Sequence, residues 1–176
     1  MSRYRRSRIE GGTYFFSVNL ADRQSDLLVT HIDRLRAIYG KVQKAHPFET
    51  LAICILPDHI HAIWVLPPED NDFSLRWRLI KSLFSRGLSN ATNRSVSKIK
   101  HRESGLWQRR FWEHQIRNEQ DLLCHVDYTH FNPVKHGHVQ RVMEWPYSSF
   151  HRYVRSGELP PDWAGGGHDA TGHFGE

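Results

Sequence analysis

Two apolar segments of the chain, Phe48–Leu56 and His59–Leu66, are separated only by the dipeptide Pro57-Asp58. Both segments are rich in β-branched and aromatic residues, which favour strands, and Pro-Asp is typical of a tight turn. A connection this short allows only antiparallel pairing, because parallel strands need a long crossover. The two segments therefore predict a β-hairpin within an antiparallel sheet.

The segments on both sides of this hairpin complete the pattern of one fold. Hydrophobic spacing predicts further strands at Thr13–Leu20 and Leu106–Ile116, and helices at Thr30–Ala45, Phe73–Leu88 and Glu119–Asn132. Pro133 should end or kink the last helix, because proline lacks an N–H and clashes with the preceding turn. The order β-α-β-β-α-β is that of a split β-α-β arrangement. We expect an α+β, ferredoxin-like (RRM-like) antiparallel sheet with an added helix.

The length and composition suit one packed domain with short extensions. The chain has 176 residues, of which 39% are hydrophobic. We divide it into a basic arm at 1–12, a domain at 13–157 and an acidic, glycine-rich tail at 158–176. No apolar run is long enough to span a bilayer, and the arginine-rich start lacks the apolar segment of a signal peptide. We therefore expect a cytoplasmic protein without a membrane partner.

The net charge of +5 conceals a strong segregation of charge along the chain. Residues 76–117 contain eleven Lys or Arg and two acids, whereas the rest of the chain has thirteen bases and seventeen acids. Most charge runs are solvated surfaces, but this segregation favours a surface for a polyanion. The helix at 73–88 should direct its basic residues outward: Arg76, Arg78, Lys81 and Arg86. Candidate phosphate contacts are Arg3, Arg5, Arg6, Arg8, Lys81, Arg86, Arg109, Arg110 and Lys135.

The second strand of the hairpin carries two histidines, His59 and His61, that project from the same sheet face. Two adjacent imidazoles form half of a site for a divalent metal. The chain contains 13 His, so a His-x-His pair alone carries little weight. A second such pair, His136-Gly137-His138, lies in a glycine turn with no strand around it. The strand context of the first pair is what favours a metal site there.

About seventy residues later, Tyr128 and Asn132 are four residues apart in a predicted helix. Residues at this spacing share one face of a helix. They could supply a nucleophile and a third ligand to the metal held by the histidine pair.

Five segments, in their order and spacing, resemble the REP-associated tyrosine transposases, a branch of the single-tyrosine HUH endonucleases. The segments are Gly11–Phe16, Leu56–His61, Trp107–His114, Tyr128–Gly137 and Trp145–Phe150, within a resemblance that covers about residues 3–163. The resemblance implies that His59 and His61 bind Mg²⁺ or Mn²⁺ and that Tyr128 is the nucleophile. Asn132 matches the position where relatives place a third polar ligand, often glutamine.

The activity implied by the resemblance is that of a metal-dependent single-stranded DNA endonuclease and strand-transferase. Such an enzyme acts at hairpin-forming, REP-like palindromes through a 5′-phosphotyrosine intermediate, here as a monomer or homodimer. Two alternatives remain open. A non-catalytic nucleic-acid-binding module on an RRM-like sheet would not need His59, His61 and Tyr128 together. A metal-dependent phosphodiesterase that uses water would carry a second His-x-Thr/Ser motif, which the sequence lacks.

Overall fold

A computed structural model describes residues 9–88 and 105–166 of the chain. Its elements are β1 Thr13–Asn19, α1 Leu27–Thr30, α2 Ile32–Ala45, β2 Glu49–Ile55, β3 His59–Val65, α3 Phe73–Ser85, β4 Trp112–Gln115, α4 Glu119–Lys135 and α5 Phe150–Ser156, with a 3₁₀ turn at Val142–Glu144. The four strands form one antiparallel sheet in the order β2-β3-β1-β4. This order confirms the ferredoxin-like α+β fold.

Alternation of side chains along the central strands gives the sheet two different faces. Phe16 of β1 lies on the face covered by α2 and α3, where its ring centre is 4.9 Å from Trp64 and 5.7 Å from Trp77. The preceding residue, Phe15, lies on the opposite face, 6.0 Å from the ring of Tyr128 in α4. We call these the α2–α3 face and the α4 face.

The first predicted helix and the last predicted strand differ from the structure. The helix expected at Thr30–Ala45 is two helices, α1 and α2, because His31 has a φ of −111° and a ψ of 35°, outside the helical region. The amide of Leu28 in α1 donates to the carbonyl of Pro57, which ties this short helix to the hairpin turn. The strand expected at 106–116 is confined to Trp112–Gln115, and Trp107 forms an isolated bridge with Leu20.

The prediction that Arg76 points to solvent is wrong. Arg76 is 2% exposed, and its guanidinium forms an ion pair with Asp70 (Nη2 to Oδ2, 2.7 Å). It also donates to the carbonyls of His46 and Pro47. A buried guanidinium needs a partner for each of its donors, and these partners come from two loops at the same end of the sheet. Arg76 therefore joins the connection before β2 to the connection before α3.

Pro133 does not end α4, which continues to Lys135. The proline lies so close to the carboxyl end of the helix that its missing N–H removes only one bond of the last turn. The amides of His136 and Gly137 donate to the carbonyls of Asn132 and Val134 and close that turn. Gly137 then leaves the helix with a φ of 72°, which glycine adopts without strain.

The chain continues to pack beyond α5. The ring centre of Trp163 lies 5.8 Å from that of Phe150 and 6.3 Å from that of His130. The arginines of the arm (Arg3, Arg5, Arg6 and Arg8), residues 89–104 and the acidic tail from residue 167 lie outside the described residues. Among the described helices, none has the length and apolar content to cross a membrane.

Candidate active site

The two histidines of β3 lie side by side on the α4 face, as the strand alternation predicts. The ring centres of His59 and His61 are 4.8 Å apart, and the residues are 1% and 0% exposed. Helix α4 covers both rings, because Tyr128 lies 5.2 Å from His61 and His136 lies 5.2 Å from His59. The pair therefore occupies a closed layer between sheet and helix.

Each histidine has a polar partner at its Nδ1 atom. The Nδ1 of His59 donates to the carboxylate of Asp58 at 2.7 Å, and the Nδ1 of His61 lies 2.9 Å from the hydroxyl of Ser17. When Nδ1–H donates to an oxygen, Nε2 becomes the basic nitrogen that can bind a metal. Both rings therefore have the partners that a metal-binding histidine uses to set its tautomer.

The carboxylate of Asp58 is itself held in place. Arg23 forms an ion pair with it, with Nε 2.8 Å from Oδ2. Burial of Asp58 opposes its ionisation, but the hydrogen bond with His59 and the charge of Arg23 outweigh that effect. The pKa of Asp58 is therefore held below its ordinary value, and the carboxylate is charged at neutral pH.

Tyr128 and Asn132 of helix α4, and His136 directly after it, face the histidine pair at four-residue spacing. Asn118 caps the start of the helix, because its side chain accepts a hydrogen bond from the amide of Asp121 at 2.9 Å. Tyr128 is 4% exposed and Asn132 is fully buried. Because Tyr128 contacts His61 and His136 contacts His59, the intervening Asn132 lies between these two contacts on the same helix face. The structure thus brings the predicted nucleophile and the predicted third ligand to one side of the pair.

Lys135, predicted from the sequence as a DNA contact, lies on the tyrosine. Its Nζ donates to the Tyr128 hydroxyl at 3.1 Å and lies 4.7 Å from the centre of the ring. A cation in this position stabilises negative charge on the phenol oxygen. Lys135 thus contacts the nucleophile candidate directly, whether or not it also meets a phosphate.

The other predicted DNA contacts in the described residues lie away from this helix. Arg109 and Arg110 are exposed, as is Arg86. The Nζ of Lys81 donates to the carbonyl of Gln108 at 2.7 Å and lies 5.9 Å from the ring centre of Trp107. Lys81 thereby fixes the segment that carries the two exposed arginines next to α3.

The sequence analysis did not identify Ser17, Asp58 and His136 as parts of this site. Ser17 could have been found from strand register, because it pairs directly with His61 across β1 and β3. His136 continues the four-residue spacing of Tyr128 and Asn132, but the expected helix end at Pro133 excluded it. Asp58 was assigned only to the turn.

Comparison with known proteins gives this arrangement a family. The family described as "Transposase IS200 like" matches residues 15–129, which include His59, His61 and Tyr128. A REP-associated tyrosine transposase of Escherichia coli (strain K12) is 50% identical over 167 residues, which cover 94% of this chain and 92% of the relative. This chain belongs to the REP-associated tyrosine transposases.

Further comparisons agree with this assignment. A Haemophilus influenzae protein given the same family name is 48% identical to this transposase over 166 residues, 94% of each chain. A solved structure of the REP-associated tyrosine transposase bound to a REP hairpin has 48% identity and a TM-score of 0.87. That similarity covers 100% of this chain and 98% of the other, so it extends over all the elements that build the site.

Proposed function

We propose that this transposase is a metal-dependent endonuclease and strand-transferase of single-stranded DNA, with Tyr128 as the nucleophile. The observation that carries the proposal is the contact of Tyr128 with both His61 and Lys135, at 5.2 Å between ring centres and 3.1 Å between Nζ and hydroxyl. The ring of Tyr128 packs in a small apolar cluster with Phe15 and Ile63, as that of a core tyrosine would. Its surroundings differ from such a core at two points, because the ammonium of Lys135 lies beside the hydroxyl and the ring packs against His61.

The proposed substrate is a hairpin-forming, REP-like palindrome with a single-stranded segment to cut. The support is the solved relative bound to a REP hairpin, together with the excess of basic residues between 76 and 117. Phosphate contacts by such residues position a nucleic acid without reading its sequence. We place the reaction in the cytoplasm, as expected for a DNA substrate in a bacterial family.

The side chains around the histidine pair fit a divalent cation. With Nδ1 of His59 and His61 engaged by Asp58 and Ser17, the two Nε2 atoms and the amide oxygen of Asn132 form a mixed nitrogen and oxygen donor set. Asn132 follows Tyr128 by one helical turn, so a cation there would lie near the nucleophile. When bound, Mg²⁺ or Mn²⁺ would polarise the scissile phosphate and neutralise charge in the transition state.

The proposed reaction is a transesterification at phosphorus. The Tyr128 oxygen loses its proton and forms a bond to the phosphorus, and the bond from phosphorus to the 3′ oxygen breaks. The 3′ oxygen takes up a proton and leaves as a 3′-hydroxyl, while the 5′ phosphate stays on the tyrosine. The ammonium of Lys135 stabilises the phenolate as it forms. A 3′-hydroxyl that attacks the phosphotyrosine reverses these changes and joins two strands.

The proposal is tested by incubation of the purified protein with end-labelled single-stranded hairpin DNA and Mn²⁺, followed by denaturing electrophoresis. The expected product is a covalent adduct that carries the label of the 5′ phosphate side, together with a free 3′-hydroxyl fragment. Released fragments without an adduct would assign the chain to the water-using phosphodiesterases. A native gel shift without cleavage at saturating Mn²⁺ would leave only a binding module.

A further inference from the structure

A second group of metal-binding side chains lies on the α4 face, at the start of α4 and on β4. It consists of His114, Asp121 and His125, whose ligand atoms all lie within 4.8 Å of one another. The Nε2 of His114 is 2.9 Å from Oδ2 of Asp121. We call this group the His114 cluster.

The His114 cluster is separate from the proposed active site. Phe15 lies between the two groups, with its ring centre 4.9 Å from that of His125 and 5.4 Å from that of His61. The two sites share no ligand candidate. The following inference therefore stands whether or not Tyr128 is the nucleophile.

Local structure brings the three side chains together. His114 of β4 pairs with Phe15 of β1 and so faces α4. Asp121 belongs to the first turn of α4, where its carboxylate also accepts a hydrogen bond from the amide of Arg117 at 2.9 Å. His125 follows Asp121 by one turn, and its Nδ1 lies 2.7 Å from the Asp121 carbonyl oxygen. The same Nδ1 lies 3.1 Å from Oδ1 of Asp121, so this ring is held directly beside the carboxylate.

The donor set suits a transition metal ion. Two imidazoles with one carboxylate form a common three-ligand set that leaves positions for water. Bonds of about 2.0–2.2 Å in the tetrahedral geometry of Zn²⁺ separate neighbouring ligand atoms by about 3.4 Å. The Nε2 of His114 and Oδ2 of Asp121 are 2.9 Å apart, so only a small opening is needed to admit an ion between them. The side chains of His114 and Asp121 are 25% and 20% exposed, so an ion can reach them from solvent.

One movement is needed to complete the set. The rings of His114 and His125 are stacked, with an interplanar angle of 10° and 4.6 Å between their centres. A metal lies in the plane of each imidazole that binds it, so two stacked rings cannot both ligate one ion until one of them turns. His114 is the ring that can turn, because it lies on the edge strand β4 and is partly exposed.

We propose that His114, Asp121 and His125 form a second divalent-metal site with a preference for an imidazole-binding ion such as Zn²⁺. Binding there joins the first turn of α4 to the edge strand β4. The ion thus braces the helix that carries Tyr128 at the end opposite to Lys135.

The test counts Zn²⁺ ions bound by the full chain, by competition with a chromophoric chelator that reports sites with a dissociation constant below about 10 µM. The wild-type protein should bind two equivalents. His114→Gln should bind one, and a variant with His59→Gln and His61→Gln should also bind one. His46→Gln, on the opposite side of the sheet, should still bind two.

Two results would overturn the second site. One is a wild-type stoichiometry of one equivalent that the double variant of β3 abolishes. The other is an unchanged stoichiometry of two in His114→Gln. His114 is partly exposed at an edge strand, so its replacement should leave the fold intact, which circular dichroism checks. If His114→Gln does not fold, Asp121→Asn replaces it in the same count, with the same expected loss of one equivalent.

Discussion

The two faces of the sheet are built from alternate residues of the same two strands, yet they differ in kind. On the α2–α3 face, β1 and β3 contribute Phe16, Val18, Ala62 and Trp64, all buried in one apolar cluster. The alternate residues of the same strands, which point to the α4 face, include Ser17, Asn19, His59 and His61, and these are also buried.

This difference shows which face stabilises the fold and which carries its chemistry. Burying an aromatic side chain is favourable, whereas burying an imidazole, an amide or a hydroxyl costs free energy unless each polar atom is satisfied. The α4 face has a small apolar cluster that includes Phe15 and Ile63, but it also buries polar side chains from two strands and one helix. A chain that needed only stability would have continued the apolar pattern on both faces. The polar residues of the α4 face are therefore best explained by function.

The largest effect that tests this difference between the two faces is the loss of adduct formation expected in Tyr128→Phe. The variant lacks the oxygen that forms the phosphotyrosine, so adduct formation should fall by at least roughly 10³-fold. Hairpin affinity should stay within a few-fold, because only one hydroxyl is lost. Quantified adduct and gel-shift titrations measure the two effects. Tyr147→Phe is the matched control and should leave adduct formation unchanged, while an adduct retained in Tyr128→Phe would assign the nucleophile elsewhere.

On the α2–α3 face we expect Trp64→Ala to lower stability and to leave the activity of the folded protein intact. Trp64 is fully buried, stacked on Trp77 at 4.3 Å between ring centres, and its indole N–H donates to the hydroxyl of Tyr39 at 2.6 Å. Its truncation should lower the free energy of unfolding by about 3–5 kcal/mol. Urea titration measures this loss, and adduct formation per folded molecule should remain near that of the wild type.

If Trp64→Ala is too unstable to purify, Trp64→Phe should show the same pattern with a smaller loss. A drop in adduct formation by folded Trp64→Phe as large as that of Tyr128→Phe would break the distinction between the two faces.

A smaller effect is expected one contact away from the proposed metal, at Asp58. Asp58→Asn keeps the shape of the side chain but removes the charge that holds the Nδ1 proton of His59. Replacement of such an outer partner weakens metal affinity by about 10–100-fold. A Mn²⁺ titration followed by electron paramagnetic resonance measures it without reference to cleavage. Asp33→Asn, an exposed carboxylate of α2, is the control, and equal affinities for both variants would remove Asp58 from the site.

Much of the fold could be predicted from local patterns. The turn at Pro57-Asp58, the alternation within the strands and the order of the segments were sufficient for the ferredoxin-like sheet. The failures have a common cause in contacts that no local pattern contains. Arg76 has the helical position of an outward residue, but loops distant in sequence provide its buried partners. The break at His31 likewise follows the contact of α1 with the hairpin turn.

The site divides in the same way. The two-residue spacing of His59 and His61 places both on one face of a strand, and the four-residue spacing of Tyr128 and Asn132 places both on one face of a helix. These local spacings were sufficient to find all four residues. Their metal-binding and catalytic roles remain predictions. Ser17 needs the register of β1 against β3, which depends on long-range pairing rather than on the sequence of either strand. The His114 cluster needs both the β1–β4 register and the first turn of α4, so it could not be predicted before the sheet was known.

The smallest effect concerns His130, a buried histidine on the side of α4 that faces α5. Unlike the histidines of the proposed metal site, it serves packing. Its Nε2 lies 2.9 Å from the hydroxyl of Ser149, and its ring contacts Tyr153 and Phe150. Burial, with a contribution from the charges of Arg152 and His151, lowers its pKa to about 3. The unfolded chain takes up this proton near pH 6.5, so the folded state loses stability as the pH falls from 6.5 towards 3. At pH 5.5 the loss from this one group is about 1.4 kcal/mol.

His130→Gln should show a correspondingly smaller drop in the free energy of unfolding between pH 7 and pH 5.5 in urea titrations, whereas His31→Gln should follow the wild type. An equal drop in both variants would mean that His130 is protonated in the folded protein, and the packed side of α4 would then resemble the site side more than the structure indicates.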